Sequence, residues 1–504
     1  MAVTERASGP VIIAGAGPTG LTLATELRRG GAEVVLLERR PHRGVDGSRA
    51  AGMQPRTIEL LDQRGVAERF LAVGPQSNLG NFAGILLDYS VLPSRFPYAI
   101  NILQAETEQI LEDIADELGV CVCWSSEVTG ARDTGGGVAV TVEGPGGTET
   151  ITGSYLVGCD GGRSVVRQLI DVGFSGTDST MMCLIGDVEL DDPPPWPMFL
   201  QRRERGSITA VQFRPGWYRI CTSERKVEDG PTGPVTLEEL KASTLRVAGT
   251  DFGMHDPTWL SRFGDAVRQA DRYRVERVLL AGDAAHIHLP AGGQGMNMGI
   301  QDAFNLGWKL AMVLRGEAPE SLLDTYHSER HAADAEMLKV IRAQSVIVEP
   351  GRRADDLFDM VKHLVGFPDA NDYLAAVQSG LGIRYAIPGD HQLLGRRVPD
   401  ADINSATGAT RIYELLNAAR PVVLDFSSTS DLGAAANDWA GLVDVIKAQS
   451  TADTWAVPGL GMIPVPAAVL IRPDGYVGWV DNGDHDPDGL RESLTTWCGP
   501  GVPA

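Results

Sequence analysis

The stretch from Val11 to Glu38 constrains the fold more than any other. Val11-Ile12-Ile13-Ala14 is a short apolar run of the kind that forms a parallel strand buried on both faces. Gly15-Ala16-Gly17-Pro18-Thr19-Gly20 follows, and then a helical stretch to about Arg29 on which Leu21, Ala24 and Leu27 recur with helical spacing. Gly30-Gly31 closes that helix where a positive φ is needed, and a second apolar run over 34–37 ends at Glu38. Strand, G-x-G-x-x-G, helix, strand, acid is the signature of a dinucleotide-binding α/β unit. Gly15 permits the tight turn, Gly17 lets the backbone approach a pyrophosphate, and Gly20 lets the helix pack on the strand. The free N–H groups and positive dipole end of the helix then face the phosphates. Glu38 is placed to accept hydrogen bonds from ribose hydroxyls. Arg39 and Arg40 directly after it would suit a 2′-phosphate, so this motif alone leaves FAD and NAD(P) open.

Two later stretches repeat the theme. Alternation over 138–142, a Pro145-Gly146-Gly147 turn and a return over 150–157 predict a β-hairpin that runs into Cys159-Asp160-Gly161-Gly162. Arg277-Val278-Leu279-Leu280-Ala281 predicts a buried strand ended by Gly282-Asp283, where the acid can hold a sugar-like hydroxyl. His286-Ile287-His288-Leu289-Pro290-Ala291-Gly292-Gly293-Gln294-Gly295 follows, then a helix over about 296–314 with Ile300, Ala303, Gly307, Leu310 and Ala311 as its apolar stripe. The glycines bring bare N–H groups to the start of a second helix, a site for negative charge. Gln301, Asp302 and Lys309 are expected on a solvated or capping face of that helix. His286 and His288, two alternating histidines without nearby Cys or acid ligands, make only a weak metal claim, and structural roles are expected for them.

In this order, Gly15 to Gly20, Cys159-Asp160-Gly161 and Gly282-Asp283 resemble the fingerprint of the class A flavoprotein aromatic hydroxylases. The segment from Leu280 to Leu310, with Thr250-Asp251-Phe252-Gly253 and Trp259-Leu260-Ser261-Arg262-Phe263, is similar to the actinobacterial branch of that family that acts on polycyclic polyketides. The resemblance implies an α/β fold with three parts. These are a discontinuous Rossmann-type FAD-binding domain over 1–171 and 262–394, a β-sheet-rich substrate domain over 172–261, and a thioredoxin-like C-terminal domain over 395–504. It further implies that Asp283 binds the ribityl chain, that Gly293, Gly295, Met296 and Asn297 meet the pyrimidine edge of the flavin, and that Pro18 and Thr19 lie at the pyrophosphate. Arg49 and Gln104 match positions that touch the FAD phosphates and ribityl, Val128 matches a backbone contact to adenine, and Asp160 lies in the turn used by FAD phosphate and passing nicotinamide cofactor. Leu289 precedes Pro290 where the family often has a second proline, which alters the pocket beside the flavin.

The implied activity is monooxygenation: FAD is reduced by NADPH or NADH, and one oxygen atom from O2 enters a polycyclic aromatic substrate through a flavin C4a-hydroperoxide. A Baeyer–Villiger or antibiotic-inactivating oxygenation of the same kind is the alternative. No second strand–G-x-G-x-x-G–helix unit is present, so the nicotinamide cofactor is expected to bind transiently. No single catalytic acid or base is assigned, because the cofactor carries the hard step. In the substrate domain, strand-like runs over 182–190, 207–213 and 217–221 carry Phe213 and Trp217, with Trp196, Phe199 and Tyr218, as residues that could face a planar substrate. A halogenase would show Trp-x-Trp-x-Ile-Pro, which this sequence lacks, and a non-catalytic flavin-binding protein is the remaining alternative.

Bulk properties narrow the partners. With 66 acidic and 44 basic residues the formal charge is -22, which repels nucleic acid and anionic membrane surfaces. No signal peptide and no membrane-spanning run is readable, so a cytoplasmic monomer or homodimer is expected. The six cysteines show no C-x-x-C or zinc-type spacing and are expected as buried free thiols, with Cys121 and Cys123 on one face of a strand. In the C-terminal part, strands are expected over 421–426, 467–471 and 477–480 and a helix over 439–448, forming a packing or dimer-contact module.

Overall fold

The computed structural model describes residues 9–44, 47–195, 198–226, 233–427 and 432–502. The fold is mixed α/β. Its central sheet has six strands in the order Arg274–Val275, Val278–Leu280, Tyr155–Gly158, Val11–Ala14, Val34–Leu37, Val122–Cys123. All neighbours run parallel except the first pair. Val11–Ala14, Tyr155–Gly158 and Val278–Leu280 are buried throughout, as strands covered on both faces must be. These three strands are neighbours and parallel, so the three glycine-bearing turns that follow them emerge side by side at the carboxyl edge of the strands, one end of the sheet. The expected hairpin is present as Val138–Gly144 paired with Gly147–Gly153.

The helices Pro18–Arg29 and Gln294–Arg315 start at that edge and pack on each other. Small residues make the approach possible: a Cβ on Gly307 would stand 2.5 Å from the Cβ of Glu26, and one on Gly30 2.4 Å from the Cβ of Ala311. Gln294–Arg315 is buried on nearly every side, including Gln301, Asp302 and Lys309. The solvated face expected for those three is therefore corrected: Asp302 and Lys309 find charged partners inside the protein, while Gln301 Oε1 is buried with no hydrogen-bond partner among the described residues.

A five-stranded antiparallel sheet, ordered Met198–Arg203, Gly206–Arg214, Trp217–Arg225, Met181–Leu190, Met254–Gly264, follows in the chain. The helix Leu237–Ala248 covers one face, where Leu184, Val188, Ile208, Tyr218, Ile220, Leu240 and Val247 form a core.

Residues from Asp402 onward form a mixed six-stranded sheet, ordered Gly408–Arg411, Asp402–Ser405, Asp444–Ser450, Val422–Asp425, Ala468–Ile471, Val477–Asp481. The helix expected over 439–448 is replaced by a short turn at Asn437–Trp439 and the strand Asp444–Ser450. Gly441, at φ 86°, breaks any helix there, and the register with Val422–Asp425 claims the chain beyond it. The cysteine expectation is also corrected in part. Cys183 and Cys498 are buried, but Cys121 and Cys123 are exposed because their strand lies at the sheet edge. No helix among the described residues is long and apolar enough to cross a membrane.

Candidate cofactor and substrate site

The first turn has the geometry its glycines imply. Gly15 is left-handed (φ 103°), and a Cβ there would lie 2.3 Å from the Cys159 carbonyl oxygen, which fixes the first turn against the second. A Cβ on Gly20 would lie 1.9 Å from the Gly15 oxygen. Gly17 differs, since a Cβ there meets nothing within 4 Å. It caps Pro18–Arg29 with no side chain on the leading N–H groups, so open space faces a helix start.

Glu38 turns back on this loop. Its carboxylate accepts the Ala16 N–H at 2.8 Å and the Arg40 N–H at 2.9 Å. Arg40 bridges Glu38 and Glu108, and Gln104 donates to Glu108 at 2.8 Å, whereas Arg39 is exposed. Val128 is buried in the strand Glu127–Asp133. Asp160 is committed to capping the helix Val165–Leu169: it accepts from Ser164 Oγ at 2.5 Å and from the Val165 and Val166 N–H groups at 2.7 and 3.1 Å. Its side chain is thus engaged, leaving the backbone of the turn to face a ligand.

At the third turn Gly282 is left-handed (φ 62°) and Asp283 is exposed, with no hydrogen-bond partner among the described residues. Protein crowds around this carboxyl and raises its pKa, while His286 and Arg49 act in the opposite direction. A solvent-reached acid enclosed by protein marks a cleft. Gly292 and Gly293, at φ 62° and 67°, bend the chain into Gln294–Arg315, whose cap again places no side chain on the leading N–H groups. Gly295 lies beside Asp283 and His288; a Cβ there would be 4.0 Å from the Asp283 Oδ1. Pro290 is exposed at the loop's start. Met296 packs with Leu60, Ile300 and Phe304, and the Asn297 side chain is buried. Asn297 accepts the Gln54 N–H at 2.8 Å and donates to the Gly293 and Gly52 carbonyls at 2.7 and 3.1 Å, which leaves only its backbone for a ligand.

Behind the third turn lies a polar cluster that sequence spacing gives no hint of. His286 Nε2 is 2.8 Å from Asp302 Oδ2 and 3.5 Å from Asp334 Oδ2. Arg330 donates to both carboxylates at 2.7 Å, and Tyr273 donates to Asp334 at 3.0 Å. The two histidines therefore differ: His286 does have acid partners, while His288 meets the Leu289 carbonyl at 2.5 Å. A second cluster joins Lys309 and Asn305 to Glu329, which also accepts both terminal nitrogens of Arg472 at 2.6 and 2.8 Å.

The antiparallel sheet turns its uncovered face toward these loops. Arg219 forms a two-pronged buried ion pair with Asp187 at 2.7 and 2.8 Å and donates to the Arg49 carbonyl at 3.3 Å. Its guanidinium lies over Phe213 and Trp259, and that of Arg49 lies over Phe263. Phe213 and Trp217 meet edge to face at 5.9 Å and are half-buried on this side. Tyr218 and Phe199 belong instead to the core under Leu237–Ala248, and Trp196 lies outside the described residues. Trp259 and Phe263 complete the aromatic face; period-two alternation along Met254–Gly264 is the signal that identifies them.

The residues present fit FAD. Gly17 leaves the space that a pyrophosphate needs, two uncapped helix starts supply N–H donors, and Asp283, with no hydrogen-bond partner among the described residues, offers a carboxylate beside the second. Comparison with known proteins agrees. Residues 8–340 match the family described as FAD binding domain, and residues 391–501 match aromatic-ring hydroxylase, C-terminal. A 12-dehydrotetracycline 5-monooxygenase/anhydrotetracycline 6-monooxygenase of Streptomyces rimosus is 44% identical, with 97% of this chain and 99% of that protein covered. A rifampicin monooxygenase of Streptomyces venezuelae is 41% identical, with 97% and 98% covered. The solved anhydrotetracycline hydroxylase from Streptomyces rimosus superposes with a TM-score of 0.91 at 43% identity, covering 98% of this chain and 100% of that one. The chain belongs to the FAD-binding aromatic-ring hydroxylase family and is an FAD-dependent monooxygenase.

Proposed function

We propose that this enzyme inserts one atom of O2 into a polycyclic aromatic substrate of the polyketide type, with NADPH or NADH as transient electron donor. The observation that carries the reading is Arg49, whose guanidinium lies over Phe263 and acts on the Asp283 carboxyl while its carbonyl accepts from Arg219, which lies over Phe213 and Trp259, so the aromatic sheet face adjoins the third turn. The relatives named for anhydrotetracycline and rifampicin support the substrate class.

In this reading the parallel sheet is a Rossmann-type FAD-binding domain over 1–171 and 262–394, the antiparallel sheet is the substrate domain over 172–261, and residues 395–504 form a thioredoxin-like domain. That last part has no C-x-x-C and so no thiol exchange. Gly15, Gly17, Pro18, Thr19 and Gly20 form the pyrophosphate turn. Glu38 holds the adenosine ribose, with Arg39 and Val128 on the adenosine side. Arg49, Gln104 and the Asp160 turn lie along the phosphates, and Asp283 accepts from the ribityl hydroxyls. The chain from Pro290 through Gly293, Gly295, Met296 and Asn297 meets the flavin ring.

Bound FAD supplies the redox chemistry with O2. The N–H groups at the start of Gln294–Arg315 stabilise negative charge beside the ring. Phe213, Trp217, Trp259 and Phe263 orient a planar substrate and exclude water.

The test is a screen of polycyclic phenols and ansamycins for stimulated NADPH and NADH oxidation, run under 18O2 with product masses read. One labelled oxygen per product is expected. Cofactor oxidation that no compound stimulates, or a product whose new oxygen comes from water, would overturn the reading.

A further inference from the structure

Asp302 sits two helical turns into Gln294–Arg315, the helix whose start faces the cleft, and its carboxylate makes three contacts. Oδ2 accepts the Gly282 backbone N–H at 3.0 Å and meets His286 Nε2 at 2.8 Å, while Oδ1 accepts Arg330 Nε at 2.7 Å. The Gly282 N–H belongs to the residue directly before Asp283. One carboxylate thus ties the turn that presents Asp283 to the helix that presents the neighbouring N–H groups. None of the four side chains Asp302, His286, Arg330 and Asp334 reaches solvent by more than about 1%. A cluster so costly to bury needs compensation. These side chains are buried behind the Gly282–Asp283 turn and bonded to it, so their effect on a ligand passes through that turn.

We propose that Asp302 and His286 are positioning residues for the cofactor: Asp302 sets the Gly282–Asp283 turn, and protonated His286 holds Asp302 there and keeps Asp283 ionised from behind. This inference rests on the FAD reading of the cleft.

The charge balance supports it. The groups facing His286 are Asp302 from the Gln294–Arg315 helix, Asp334 and Arg330 from the helical run 327–348, Tyr273 from the turn before Arg274–Val275, and Asp283 and His288 from its own loop. Burial disfavours the charged ring, but Asp334 and Asp302 outweigh it and push the His286 pKa up to about 9. Burial likewise disfavours the Asp302 carboxylate, but Arg330 and His286 outweigh it and bring its pKa down to about 2. Both shifts favour a cationic His286 beside an anionic Asp302 at neutral pH, with the His286 Nδ1 left without a hydrogen-bond partner among the described residues. Above about pH 9 the ring loses its proton, and Asp283 loses a favourable neighbour.

The test is fluorescence titration of FAD into apo-protein from pH 6.5 to 10, on wild type, D302N and H286Q, with circular dichroism and thermal melting of each apo-protein. Loss of a charge-assisted hydrogen bond in a folded protein is expected to weaken FAD binding about 10- to 100-fold. Burial raises the Asp334 pKa to about 7, so both proteins should change at the low end of the range, but only wild-type Kd should rise further between about pH 8 and 9.5, toward the H286Q value. A purely structural role would lower the melting temperature and leave Kd within about twofold for folded variants, which would overturn the proposal. If D302N does not fold, the wild-type pH profile and H286Q decide: a wild-type profile that is flat between about pH 8 and 9.5 overturns it. Wild type that binds no FAD at any pH contradicts the FAD reading instead.

Discussion

Thr19 is wedged between two glycines that lie far from it in the chain: its Oγ1 would be 2.5 Å from a Cβ on Gly282 and 2.2 Å from a Cβ on Gly299. Thr19 opens the first cofactor helix, Gly282 begins the third turn, and Gly299 lies in the second helix. The spacing between the two helix starts is therefore set by one side chain against bare backbone. Alanine at a helix interior is ordinarily better than glycine. Here G299A should destabilise the protein by about 1–3 kcal/mol through overpacking. The double variant T19A/G299A should recover most of that loss, because the clashing oxygen is gone. Denaturant unfolding of both proteins checks this, and an unaltered midpoint in G299A would contradict it.

Gly15 and Gly17 should fail in different ways. G15A forces a left-handed residue against the Cys159 oxygen and should lower apo-protein stability. A Cβ at Gly17 meets nothing within 4 Å, so G17V should lower the apo-protein's melting temperature much less than G15A does while abolishing FAD binding, since the side chain fills space reserved for phosphate. Melting curves with and without FAD separate the two outcomes.

The turn Arg472-Pro473-Asp474-Gly475 plugs the C-terminal part into the cofactor helices. Arg472 pairs with Glu329 and Asp474, Arg56 donates to the Asp474 carbonyl, and Arg64 joins Glu26 to the Pro473 carbonyl. R472M takes the paired cation from buried Asp474 and leaves Glu329 with Lys309 alone, so it should cost about 3–5 kcal/mol in denaturant unfolding.

The same pair has a pH signature. Burial disfavours the charged form of Glu329, but Arg472 and Lys309 outweigh it and hold its pKa at about 2. A depressed carboxyl pKa contributes stability that is present above its unfolded value and lost as pH falls through the folded one. Wild type should lose stability between about pH 4.5 and 2, and R472M should lose less across that window. Equal pH slopes for the two proteins would contradict the assignment.

Much of this site was legible in the sequence because its parts are local. The turns at Gly15, Asp160 and Asp283 each end a short apolar strand, and parallel pairing then brings them together. What stayed hidden depends on distant partners. Asp302 and Lys309 read as solvated because an apolar stripe implies a wet face opposite it, but Gln294–Arg315 is covered nearly all round. Their counter-charges, Arg330 for Asp302 and Glu329 for Lys309, come from parts of the chain that no spacing rule connects to them. Among the aromatic candidates, Phe213 and Tyr218 were indistinguishable by residue type and separate only when the sheet shows which face the helix Leu237–Ala248 covers.

The most direct measurement is the FAD content and affinity of purified wild type against D283A. Asp283 stands in the cleft with no hydrogen-bond partner among the described residues, so its removal should not unfold the apo-protein. A yellow wild type, and a folded D283A that is colourless with FAD affinity reduced about tenfold or more, is the expected result. A D283A protein that binds FAD as tightly as wild type would contradict the account of how this chain holds its cofactor.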